Sequence, residues 1–291
     1  MEKNISWMGE KILEGIRMEY RKDVCRKESA QHYPHTHEFC ELYFYLGGCC
    51  SYMVENGLYD VAAGTVIFTR PGELHSVRID AQCTYERFFY QIHPHALDFL
   101  GADAARSALR CFYNRPLGVG NSAVLPADVM ERCHGRLFHT KEQLQNHSAD
   151  ARSLALADLL SILNEVNTVC DNSLDERVCV QNGLIDNALR CINQNLAELH
   201  STDELASKLY VSREYLSRSF SRVMGIPLKR YITIKRVELA KVMLREGCSL
   251  NEVCEGCGWT DYSYFIRVFR QETGVTPMCY RRIPDGTANP M

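Results

Sequence analysis

One block of residues occurs twice in this chain, and nothing else in the sequence constrains the fold as much. Tyr215-Leu-Ser-Arg218-Ser-Phe220 is followed by Gly225 and Tyr231, and Tyr264-Phe-Ile-Arg267-Val-Phe269 is followed by Gly274 and Tyr280. The Tyr, Arg, Phe, Gly and Tyr of the two copies all pair at an offset of 49 residues. Such a repeat is one supersecondary unit used twice, with the same face to bury each time. Upstream the register slips to 48, where Glu204-Leu205-Ala206 matches Glu252-Val253-Cys254, so one turn is a residue longer than the other.

Each copy has the parts of a helix–turn–helix, in which a short buried helix and a tight turn present a second helix to the major groove. Leu205, Ala206 and Leu209 give the first short helix an inner face, and Ser212 is placed to cap the next helix, over 213–224. Leu216 and Phe220, at i and i+4, turn inward and leave Arg213, Glu214, Ser217 and Arg218 outside. In the second copy Ser249 and Asp261 are the caps, Phe265 and Phe269 the inner pair, and Tyr262, Ser263, Tyr264 and Arg267 the outer face. Leu228 to Arg245 has the length and apolar spacing of a strut between them. Cys254-Glu-Gly-Cys257 is a lone CxxC without a second pair, and packing is the expected role of both sulfurs.

A length of 291 residues fits two domains better than one. The net charge of −3 hides an asymmetry: residues 182–283 hold 4 Lys and 11 Arg against 3 Asp and 8 Glu, a net +4, leaving −7 elsewhere. A basic module suits a polyanionic partner. No apolar run in the sequence approaches the length of a membrane span, and Met1-Glu-Lys-Asn-Ile-Ser-Trp has no apolar signal core. A cytoplasmic protein with its 14 scattered cysteines reduced is therefore expected.

Residues from about 30 to 93 read as short strands. Glu41–Leu46, Ser51–Val54, Leu58–Val61, Thr65–Thr69 and Tyr85–Ile92 are aromatic and β-branched, and glycine turns separate them. A small barrel or jelly roll is the expectation. After His93-Pro-His95 the texture turns helical over 94–110 and 126–145. Asp150–Val169 is the best helix, with Leu154, Leu156, Leu159, Leu160, Leu163 and Val166 as its apolar stripe. Cys170-Asp-Asn-Ser-Leu-Asp-Glu-Arg reads as a linker.

Residues from about 184 to 283 resemble the DNA-binding domain of the AraC/XylS family of transcription regulators. The resemblance rests on Ser212-x-x-Tyr215-Leu216-Ser217-Arg218-x-Phe220, Arg236-x-x-x-Ala240, Gly258-Trp259-x-Asp261-x-Ser263-Tyr264-Phe265-x-Arg267-x-Phe269 and Gly274-x-Thr276-Pro277-x-x-Tyr280. It implies that Arg213, Glu214, Ser217 and Arg218, then Tyr262, Ser263, Tyr264 and Arg267, contact base edges. Arginine is the side chain best suited to guanine O6 and N7. Arg222, Arg270 and Lys229 are expected on phosphates, where they position without specifying.

His35-Thr-His37-x-x-x-Glu41 followed by Gly47-Gly48 resembles the first motif of the cupin superfamily, and Gly64 with Pro71-Gly72-x-x-His75 resembles the second. Read as a strand, His35, His37 and Glu41 share one face. With His75 they would suit a divalent Fe, Mn, Ni or Zn ion. The alternative is that they line a metal-free pocket, and the effector pocket is assigned to His35, His37, Glu41, Tyr43 and His75. The resemblances imply an α+β chain of two domains. A cupin-like, effector-sensing and dimerising barrel with flanking helices spans 1–170, a linker 171–181, and an all-α domain with two helix–turn–helix motifs 182–291. Its expected partners are double-stranded DNA, a small-molecule effector such as a carbohydrate, RNA polymerase and a second copy, with no membrane, no required cofactor and no catalytic residue. The rivals are a metal-dependent cupin enzyme tethered to a DNA-binding module, and a regulator controlled by a protein partner.

Overall fold

In the computed structural model, residues 5–25, 34–147, 149–172, 183–199 and 201–283 are described. They fall into two compact units, Met1–Val180 and Gln181–Met291. The first is built on β1 (Ile5–Leu13), β2 (Ile16–Cys25), β3 (Cys40–Gly47), β4 (Cys50–Val54), β5 (Gly57–Asp60), β6 (Thr65–Thr69), β7 (His75–Ile79), β8 (Cys83–Ile92) and β9 (Ser122–Val124). They form an antiparallel sheet in the order β1-β2-β8-β3-β6-β9 and a smaller one in the order β5-β4-β7. Helices α1 (Ala102–Ala108), α2 (Arg110–Tyr113), α3 (Ala127–Gln145) and α4 (Ala151–Asn172) follow or interleave.

In the large sheet β3 and β6 are buried on both faces over most of their length, which is why each reads as a nearly continuous apolar run. Leu42 and Phe44 of β3, Val66 and Phe68 of β6, and Phe88, Tyr90 and Ile92 of β8 pack with Leu137 of α3 and with Leu159, Ile162, Leu163 and Val166 of α4. The alternate residues Tyr43, Tyr45, Ile67 and Tyr85 meet Cys50, Tyr52, Val54, Tyr59 and Ile79, giving the barrel a tyrosine-rich interior.

Three sequence expectations need correction here. The barrel begins earlier than residue 30, because β1 and β2 add a hairpin whose second strand pairs β8 from Ile16↔Ile92 to Cys25↔Cys83. The buried stripe of α4 is Ala151, Ala155, Leu159, Ile162, Leu163, Val166 and Asn167, whereas Leu154 is 40% exposed. By length and composition alone α4 could cross a membrane. Its buried Asn167 shows it to be a core helix instead: the amide donates to the carbonyls of Ser107 and Ala108 and accepts from the Cys111 N–H. The expected linker lies mostly outside the described residues, α4 itself running to Asn172.

The second unit consists of α5 (Gly183–Gln194), α6 (Thr202–Lys208), α7 (Arg213–Met224), α8 (Leu228–Arg245), α9 (Leu250–Gly256), α10 (Tyr262–Thr273) and α11 (Pro277–Arg281). The three expected caps all form: Ser212, Ser249 and Asp261 each accept the N–H three residues on, as Ser201 does at the start of α6, and Glu252 completes a capping box with Ser249. Gly225 and Gly274 end α7 and α10 in the left-handed conformation. The repeat is thus structural: α7 and α10 start and stop at the same offset, and Phe220–Tyr231 and Phe269–Tyr280 make the same edge-on ring contact at 5.3 and 5.5 Å.

Candidate functional site

The turns aim the two outer helices. In the first motif Tyr210 takes φ +56°, and Gly258 takes φ +78° at the corresponding place in the second. A Cβ on Gly258 would stand 2.6 Å from the Ala197 carbonyl, so only glycine fits there. Leu205, Ala206, Leu216 and Phe220 are buried in the first motif, as are Val253, Cys254, Phe265 and Phe269 in the second. Cys254 directs its thiol at the Trp259 carbonyl and Cys257 lies on Met243, a packing role for both.

On α7, Arg213, Glu214, Arg218 and Arg222 are exposed and Ser217 is half-buried. Arg213 sits 3.5 Å from Asp203 and 3.4 Å from Glu214, while Arg218 donates to the Glu214 carbonyl of its own helix. On α10, Tyr262, Ser263, Arg267 and Arg270 are exposed and Tyr264 is half-buried. Arg267 lies over the Tyr264 ring at 5.2 Å. Among the described residues neither Arg218 nor Arg267 is ion-paired to a carboxylate, which leaves both forks available to base edges.

In the barrel, β3, β7 and the segment before β3 bring Glu41, His75 and His37 together, their ligand atoms all within 4.8 Å of one another. His37 Nε2 is 3.7 Å from the Glu41 carboxylate, which also accepts from the Tyr52 hydroxyl at 3.2 Å and from Gln91. Burial holds the His37 and His75 imidazoles below their ordinary pKa, with His75 and His35 adding to the effect on His37, so each ring is held neutral. Burial raises the Glu41 carboxyl, against the pull of His35 and its hydrogen bonds. His75 Nδ1 bonds the Glu73 carbonyl at 2.9 Å, and the carbonyl can only accept. The lone pair of His75 is therefore on Nε2, which faces the cluster.

Two expectations change. Residues 36–39 are not strand, and His37 reaches Glu41 across a bend rather than along one strand face. His35 bridges to His75 through the backbone, with ring centroids 4.5 Å apart, but it is exposed and stands outside the set of three. Tyr43 lies deeper in the interior, its hydroxyl bonded to that of Tyr85. An open groove of ≈ 430 Å³ lies elsewhere, between Ile12 and Leu13 of the hairpin and Arg152 and Leu156 of α4.

Glu73 carries no signal in the sequence that would single it out. It is wholly buried and accepts from both Arg115 Nη atoms at 2.7 Å, Gly118 N at 2.8 Å, Asn121 Nδ2 at 2.9 Å and Arg70 N at 3.0 Å. Burial alone would raise its pKa, yet the Arg115 bonds and charge hold it below the usual carboxylate range. Apart from Arg70, its partners are more than forty residues away, out of reach of any local pattern. Strand alternation could have found Tyr52, since Cys50, Tyr52 and Val54 share a face.

Residues 24–163 match the family described as an AraC-like ligand-binding domain, and residues 205–283 match a helix-turn-helix domain. The HTH-type transcriptional activator RhaR of Escherichia coli O139:H28 is 23% identical over 252 residues, 86% of each chain. An uncharacterized HTH-type transcriptional regulator of Escherichia coli K12, YijO, is 34% identical over 92 residues, 31% of this chain and 32% of that one. Among solved structures, the C-terminal domain of the two-component response regulator yesN from Fusobacterium nucleatum is 30% identical. It covers 35% of this chain and 100% of its own, at a TM-score of 0.34.

Proposed function

Since the chain belongs to the AraC family and is a DNA-binding transcriptional regulator with an effector-binding domain, we propose that it is a cytoplasmic activator whose effector binds at His37, Glu41 and His75. One observation carries this. Both ring nitrogens of His37, Nε2 of His75 and Oγ1 of Thr69 are buried without a hydrogen-bond partner. Thr69 faces Glu41 across β3 and β6. Buried polar atoms are seldom left this way, and a bound molecule that offers both donors and acceptors removes the deficit. A small polyhydroxylated compound such as a carbohydrate has that chemistry, with the Tyr52 ring, nearly parallel to His75 at 6.1 Å, as a wall.

The same donors fit a divalent transition-metal ion. Two neutral imidazoles and a carboxylate are an acceptable set, and the orphaned nitrogens point into the space between them. His37, Glu41 and His75 would hold the ion, and its chemistry there would be to bind an oxygen of the effector. Operator contact through α7 and α10, a homodimer and contact with RNA polymerase complete the proposed mode of action, and the exposed Leu154 supports a role for α4 in pairing.

Thermal melting of the full chain against a panel of monosaccharides, with and without Zn²⁺, Ni²⁺ or Mn²⁺, tests the pocket. The expected result is a stabilising compound whose shift disappears in His75→Ala and Glu41→Gln. A shift that survives both substitutions would put the effector elsewhere.

A further inference from the structure

The far end of the same barrel gathers thiols that the proposed function does not use. On β7 His75 pairs Val54, and four residues on Ile79 pairs Cys50, so Cys50 lies at the end away from the imidazoles. Cys25 and Cys83 are cross-strand partners at that end of β2 and β8. Cys49 follows Gly47-Gly48 in the turn between β3 and β4 and is exposed. Cys50 packs with Tyr45 and Tyr85, and Cys25 and Cys83 lie against the same cluster.

Within this cluster one pair is distinguished. The Cys83 sulfur lies 3.2 Å from the Cys49 backbone nitrogen and 4.0 Å from its carbonyl oxygen. It therefore stands beside the Cα of Cys49, the placement that a disulfide partner needs. The turn is fixed there by the Asp80 N–H bond to the Cys49 carbonyl at 2.9 Å. A Cβ on Gly48 would come within 3.2 Å of Tyr85, so the turn lies directly on β8. Cys25 is less well placed. The His93 N–H bond to Gly15 O sets the parity of the β2–β8 ladder, and Cys25↔Cys83 falls on a hydrogen-bonded pair. Opposed Cβ atoms there are about 5.5 Å apart, wider than the ~3.5–4.5 Å of a disulfide.

We propose that Cys49 and Cys83 form a site of reversible oxidation by hydroperoxides, closing a disulfide that ties the β3–β4 turn to β8. The exposed Cys49 sulfur attacks the O–O bond and takes one oxygen as a sulfenic acid, and the displaced alkoxide takes the thiol proton and leaves as an alcohol or water. Cys83 sulfur then attacks the sulfenic sulfur, and the S–S bond forms as hydroxide departs and picks up the Cys83 proton as water. Two thiols lose two electrons and one peroxide bond gains them.

The test is to treat the reduced full-length chain with hydrogen peroxide, block the remaining thiols and map linked tryptic peptides by mass spectrometry. The expected product is one linkage between the Cys83 peptide and the peptide carrying Cys49, released by dithiothreitol. It should be absent from Cys49→Ser and Cys83→Ser and present in Cys25→Ser and Cys50→Ser. Linkage that persists in Cys49→Ser, linkage of Cys83 to Cys25, or recovery of Cys49 and Cys83 as blocked thiols would each overturn the assignment.

Discussion

Replacing Glu73 by alanine is the sharpest test of how the barrel holds its histidines. The substitution removes a carboxylate that receives five hydrogen bonds and leaves behind Arg115, whose side chain is 8% exposed. Deleting one partner of a buried ion pair costs about 3–5 kcal/mol, because the surviving charge stays buried. Arg115 keeps the carbonyls of Phe68, Cys111, Pro116 and Val119 as partners, which puts the cost near the lower end, about 3 kcal/mol. For a unit of this size each kcal/mol moves the melting midpoint by about 2–4 °C, so the sensor unit should melt about 6–12 °C lower. Calorimetry on the full chain reads this against the DNA-binding unit as an internal reference, which should melt unchanged. A sensor-unit shift below about 2 °C, equivalent to less than ~1 kcal/mol, would refute the reasoning. The pH dependence has a definite sign. The folded carboxyl lies below its ordinary 4.5, so its contribution is complete above that value and is lost as the pH falls through the folded pKa. Glu73→Ala should therefore differ from the parent chain at pH 7 and converge with it in strong acid.

Arg267→Ala should weaken operator binding by about 1–3 kcal/mol and relax preference at one base pair, with random-DNA binding unchanged, as gel-shift titration would show. Arg222→Ala and Arg270→Ala should instead lower affinity for all sequences and each reduce the slope of log K against log salt by about one. Asp261→Ala removes the cap of α10, where Asp261 Oδ1 accepts from Tyr264 N at 2.9 Å, and should cost about 1 kcal/mol in urea unfolding of the second unit.

The second unit was legible because its determinants are local. Caps, αL glycines and inner pairs at i and i+4 lie within a few residues of what they govern, and even the one-residue difference between the turns could be counted. The barrel was legible only where strands were apolar on both faces. In β2 Ile16, Met18 and Tyr20 alternate with Arg17, Glu19 and Arg21, which is a strand signal in itself. The alternation does not say which strand it pairs, and the ladder to β8 is what joins the hairpin to the barrel. Of the expected histidine cluster the structure brings His37, Glu41 and His75 together, by a route other than a shared strand face. His35-x-His37 lies on no strand there, and a bend takes His37 to Glu41 while the exposed His35 stands beside His75 and outside the set of three. Glu73 shows the limit most clearly, since apart from Arg70, whose Nε stands 3.9 Å away, the side chains that complete it arrive from beyond residue 114.

The two copies of the motif hold their central arginines differently, and this bears on what duplication achieved. Arg267 rests on Tyr264, Tyr264 meets Trp259 edge-on at 5.5 Å, and Trp259, itself buried, lies under Arg236 at 5.2 Å. A ladder of alternating cations and rings thus runs from the core of the unit to the outer face of α10. Arg218 has no such ladder, since the neighbouring Tyr215 is 52% exposed and the guanidinium returns to its own helix at Glu214 O. A long flexible side chain loses up to about 2 kcal/mol of rotamer freedom when a base fixes it, and less if it is already held. The scaffold at offset 49 is therefore common to both motifs, whereas preorganisation belongs to the second. On that ground Arg267 should contribute more to specificity than Arg218, although each occupies the same place in its repeat.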